Sequence, residues 1–139
     1  MNEIIFRGMT KDKDWYYGNL IQAEKNGTIH CFIIQDYEIN EDTIKLNTCA
    51  SPEVLPETLG QYTGLKDKNG KGIYEGDILK FSDVDTAKVK WSNEYSSFIV
   101  KPIEDYYFDN EILGNSIENN YGVKVIGNIY DNPELLEED

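Results

Sequence analysis

Glu75 and Asp77 flank Gly76, a two-residue spacing that puts both carboxylates on one face of an extended chain. Such a pair suits magnesium binding or acid–base work. It also suits a plainer task, since acids at the start of a strand accept hydrogen bonds from turn amides, and that reading is the stronger one. Around this pair lies the lysine- and glycine-rich stretch Gly64 to Gly72, which fails three motifs on spacing. A phosphate-binding loop needs four residues between its glycines and a hydroxyl after the lysine. Here five residues separate Gly64 from Gly70, and Gly72 follows Lys71. A dinucleotide fingerprint starting at Gly70 meets Glu75 at its third glycine position, with no βαβ pattern around it. A calcium loop starting at Asp67 would place Lys71 at an oxygen-ligand position and Ile78 where the bidentate glutamate belongs.

Nucleophilic and zinc chemistry have as little to work with. His30 is the single histidine and lies within the apolar run Ile29 to Ile34, where a structural role is expected. A zinc site from His30, Cys31 and Cys49 lacks paired ligand spacing, and no Gly-x-Ser-x-Gly elbow is present for a serine triad. The two cysteines read as reduced thiols of a cytoplasmic protein rather than a bridge. We therefore expect no catalytic residue, no metal and no cofactor. What remains is binding. Tyr62, Lys66, Lys68 and Lys71 with the loop residues Asp105, Tyr106, Tyr107 and Asp109 are the candidate binding surface; tyrosines in an acidic field can act as interface anchors, and covering one end of the core is an equally good reading of that loop.

The formal net charge is −13 with a pI of about 4.4. Residues 61–101 hold seven lysines against six acids, whereas residues 102–139 hold ten acids against Lys124 alone. A field of that sign repels phosphates and attracts basic partners. It disfavours, without abolishing, a second reading in which lysines 66, 68, 71, 80, 88 and 90 bind nucleic acid beside Tyr62 and Trp91.

The elements that position these residues read as β. Ile4 to Phe6 predicts a short first strand, and Trp15 to Ala23 and Thr28 to Ile34 predict an N-terminal hairpin across Asn26-Gly27. Residues 35–53 read as loop with a short strand near Thr43 to Leu46, and Pro52 and Pro56 oppose a helix there. Asp67-Lys68-Asn69-Gly70 predicts a turn closed by the aspartate side chain. Ile78 to Phe81, Ala87 to Trp91, Tyr95 to Val100 and Val123 to Ile129 predict strands, and Pro133 opens a short terminal helix over Glu134-Leu135-Leu136. The expected fold is mainly β: a small bent sheet or SH3-like barrel with an N-terminal hairpin and a short C-terminal helix, as one domain over residues 1–139. No segment approaches the roughly 20 apolar residues of a membrane span, and no N-terminal run reads as a signal peptide.

Three stretches resemble a known family. They are Phe6-Arg7-Gly8 with Trp15-Tyr16-Tyr17-Gly18-Asn19-Leu20-Ile21; Leu55 to Gly70 continuing through Ile73-Tyr74-Glu75-Gly76-Asp77-Ile78; and Val125 to Leu136. Together they are similar to the YopX-like proteins, found mainly in bacteriophages and prophages. Gly72 departs from the pattern, where a polar residue is more usual. The resemblance implies a mainly β fold with an SH3-like element and a cytoplasmic life in a bacterial host, and it brings no catalytic residue. The leading expectation is a non-enzymatic phage accessory protein that binds a host or phage protein, in its sharper form an acidic mimic of DNA. Nucleic-acid binding through the central lysines and a carboxylate–metal enzyme at Glu75 and Asp77 are the alternatives.

Overall fold

The computed structural model describes residues 3–35, 37–46, 51–81, 85–103, 111–119 and 122–136. The backbone falls into two compact units, Met1–Tyr62 and Thr63–Asp139, each with its own apolar cluster. Antiparallel strands dominate both, as the sequence predicts. Among the described residues no helix is long and apolar enough to cross a membrane.

In the first unit, β1 (Phe6–Met9), β2 (Trp15–Lys25) and β3 (Thr28–Ile34) form a meander, with β6 (Glu53–Val54) beside β3 and the start of β7 (Gly60–Lys66) beside β1. The predicted hairpin is present. Asn26 and Gly27 take φ of 53° and 80°, the left-handed values a two-residue primed turn demands, and Lys25 faces Thr28 across it. The first strand starts later than the apolar run suggests, because its register is fixed by β2, with Phe6 opposite Gly18 and Met9 opposite Trp15. Ile4 is left 62% exposed while Arg7 is buried, its guanidinium 5.0 Å from the centre of the Trp15 ring. Cys31, Ile33 and Val54 form the core with Phe6, Tyr16, Leu20 and Leu59 packed on it. A 3-10 turn at Pro56–Thr58 is tied to β1 by Thr58, whose hydroxyl accepts the Met9 N–H at 2.9 Å and donates to the Leu55 carbonyl at 2.7 Å.

Residues 35–46 hold more than the single short strand expected. β4 (Tyr37–Ile39) and β5 (Ile44–Leu46) make a separate two-stranded hairpin.

In the second unit, β9 (Asp77–Phe81), β10 (Asp85–Ser92), β11 (Ser97–Pro102), β12 (Glu111–Ile112) and β13 (Lys124–Asn128) form a five-stranded antiparallel sheet ordered β12-β11-β10-β9-β13. β12 and β13 stand at its edges, so this sheet is open and does not close into the expected barrel. The end of β7 neighbours β8 (Gly72–Tyr74), and α1 (Leu113–Asn119) follows β12. Leu79, Ala87, Val89, Val100 and Val125 share one face in register and join Ile73, Phe81, Leu113 and Val123 in the core. The terminal helix is a 3-10 turn at Pro133–Leu136.

Candidate functional site

Asp67 organises the stretch singled out in the sequence. Its Oδ1 accepts the N–H groups of Asn69 and Lys71, each at 2.9 Å, and its Oδ2 accepts the N–H of Val125 at 3.0 Å. The predicted aspartate-closed turn is therefore present, and it also reaches across to β13. Burial raises the Asp67 pKa, but the three backbone hydrogen bonds and the neighbouring Lys71 charge outweigh it, and the carboxyl sits below its ordinary value. Lys66, Lys68 and Lys71 are exposed around this turn. Tyr62 is only 9% exposed, and its N–H donates to the Ile5 carbonyl at 2.8 Å. Its ring is core rather than a solvent-facing platform, which removes it from the surface drawn from the sequence. Asp105, Tyr106, Tyr107 and Asp109 lie outside the described residues, as does Cys49.

Glu75 and Asp77 both serve backbone amides. Asp77 is 2% exposed and its Oδ2 accepts the Tyr74 N–H at 2.8 Å, while Glu75 Oε2 accepts the Trp91 N–H at 3.3 Å. Among the described residues no three His, Cys, Asp or Glu side chains gather in a way that could hold a metal ion.

His30 is half-exposed, and its Nδ1 meets Oε1 of Glu53 at 2.5 Å. The pair borders a groove of about 620 Å³ in the first unit, flanked by Lys11, Asp12, Asp14 and Tyr16. That is the size of a small-molecule cleft. Thr10 and Thr28 supply the aliphatic hydroxyls among the groove's lining residues.

The β4–β5 hairpin is the feature sequence reasoning missed. Tyr37 faces Leu46 and Ile39 faces Ile44, so all four side chains share one face. They are 51%, 43%, 67% and 68% exposed respectively. The turn is closed by side-chain hydrogen bonds: Asn40 Oδ1 accepts from the N–H of Asp42 and from both the N–H and hydroxyl of Thr43. The signal was there in two apolar-x-apolar triplets around Asn-Glu-Asp-Thr, too short for alternation to stand out.

Lysines scattered along the sequence come together on the second unit's sheet. Lys80 faces Lys124, and Lys88 faces Lys101. The Lys68 N–H donates to the Val123 carbonyl at 3.0 Å, which sets the exposed turn beside Lys124. Trp91 is in register with Phe98 on the opposite face, their rings edge to face at 5.1 Å.

Comparison with known proteins places the chain. The family model described as YopX protein matches residues 5–137. The chain belongs to the YopX family. A solved structure similar to this YopX-family chain is that of protein EF1440 from Enterococcus faecalis, 28% identical, with a TM-score of 0.66 over 99% of this chain and 100% of that one. No curated protein matches the chain. Asp67, Asp77 and Gly18, which lie in the stretches that carry the resemblance, fall at turns and close strand contacts.

Proposed function

We propose that this YopX-family chain is a non-enzymatic protein-binding module of the bacterial cytoplasm, engaging its partner through the β4–β5 hairpin. The observation that carries the reading is the exposed apolar face of Tyr37, Ile39, Ile44 and Leu46. A lone two-stranded hairpin is marginal in water and gains stability when its apolar face is covered. Glu38, Glu41 and Asp42 outnumber Lys45 on the same hairpin, so the complementary occupant is an extended partner segment that is both apolar and basic. A buried free thiol such as Cys31 suits a reducing compartment. The reading as a mimic of DNA depends on the acids after residue 101, of which residues 104, 105, 109 and 137–139 lie outside the described residues.

The test is photo-crosslinking from a probe at Tyr37 in host lysate, with the crosslinked segment identified by mass spectrometry. We expect one reproducible segment rich in apolar and basic residues. Binding of that segment as a synthetic peptide should weaken by roughly 30-fold or more in Ile39→Lys with Ile44→Lys, as central apolar anchors do. The unfolding midpoint should stay unchanged, because exposed substitutions move stability by about 0.5 kcal/mol at most. A peptide that binds the double variant equally well, or a crosslinked segment that is acidic, would refute the proposal.

A further inference from the structure

We infer that the lysine-bearing face of the second unit's sheet is a separate surface for the phosphate backbone of double-stranded nucleic acid. Register places Lys80, Lys88, Lys90, Lys101 and Lys124 on the face opposite the apolar core, since each alternates with a core residue of its strand or lies opposite one that does. Lys90 and Lys124 are exposed and the other three are half-buried. Ile78 and Ile99 occupy neighbouring positions of the same face and are buried.

A solvated face does not account for the arrangement. Like charges directly opposite in a sheet are destabilising, yet Lys80–Lys124 and Lys88–Lys101 are two such pairs. The chain has 26 acids to 13 lysines and arginines, so carboxylates to separate them are abundant. Among the described residues, none of the five lysines forms an ion pair. A cationic cluster with no ion pair among the described residues, kept within an anionic chain, fits an anionic ligand seated on it. Positions two apart along a strand are about 7 Å apart and neighbouring strands about 5 Å apart, so the lysine tips form a grid able to meet several phosphates. The face carries no aromatic residue at these register positions, since Trp91 points to the other side. Bases are therefore not stacked, which favours a duplex over a single strand.

The experiment is fluorescence anisotropy of the full chain with a labelled 20-base-pair DNA duplex, titrated in salt. The net charge of −13 opposes approach, so binding is expected near 10 µM at low salt, within the roughly 1–100 µM range of sequence-independent binding. Affinity should fall with log salt at a slope of about −2.7 to −4.5, the release expected for roughly three to five lysines. Lys101→Glu should weaken binding at least tenfold, whereas Lys25→Glu at the hairpin tip of the first unit, an equal change of charge, should alter it less than twofold. Lys101→Glu should also raise the unfolding midpoint, because it turns a repelling pair into an attracting one. Should that variant fail to fold, Lys101→Gln carries the same two readouts at smaller size. The inference is overturned by no binding at 50 mM salt, by equal losses in the two glutamate variants, by oligo(dT) binding more tightly than duplex, or by polyglutamate competing as well as DNA.

Discussion

Asp67→Ala is expected to destabilise the second unit by about 3 kcal/mol, because a charge-assisted hydrogen bond contributes about 1.5–3 kcal/mol and a buried amide left without an acceptor costs about 1–3. The amides of exposed Asn69 and Lys71 can turn to water, whereas Val125 is 7% exposed and its N–H cannot. Asp67→Asn offers one acceptor oxygen to donors on both sides, so it should lose about half as much. Urea unfolding of the three proteins at neutral pH checks both values. The pH dependence follows from the same contacts. A carboxyl whose folded pKa lies below its unfolded value contributes stability that is complete above the unfolded pKa and is lost as pH falls through the folded one. The wild-type advantage over Asp67→Asn should therefore hold above about pH 4 and shrink below it. A gap that stays constant down to pH 2 would show that the charge of Asp67 is not what the backbone amides hold.

Gly18→Ala should be nearly as costly. A Cβ built at Gly18 would lie 2.4 Å from the carbonyl oxygen of Ile34 and 3.3 Å from Cγ2 of Ile33. The first atom is backbone within the β2–β3 ladder, where Asn19 faces Ile34, and Ile33 is fully buried. Neither can move without opening the hairpin, so the overpacking penalty should reach about 3 kcal/mol. Thermal unfolding would show it as a lowered midpoint. An alanine variant as stable as wild type would mean that the hairpin yields at this contact.

These two residues show what could be read from sequence and what could not. The aspartate-closed turn and the Asn26-Gly27 hairpin were legible because each depends on side chains within four residues of one another. The alternation Ala87-Lys88-Val89-Lys90 was legible for the same reason, as one face of β10 is buried and the other is not. Tyr62 was misplaced because β7, with glycines at 60 and 64, has no clear pattern and its burial is decided by β1. The helix α1 spans seven residues and includes Gly114, too short for a helical period to emerge. The lysine face was half visible: Lys80, Lys88 and Lys90 share a stretch of sequence, but Lys101 and Lys124 join them only through register. The apolar hairpin escaped because exposed isoleucines in short polar surroundings look like loop.

The Asp67–Val125 bond joins positions 58 residues apart. Closing a chain loop costs entropy that grows only with the logarithm of its length, about 0.6 kcal/mol for each doubling. Between the two anchors the exposed turn at residues 93–96 can accordingly accept several inserted residues at little cost to the clasp. One carboxylate thus makes the second unit a frame whose interior can diversify while its ends stay fastened.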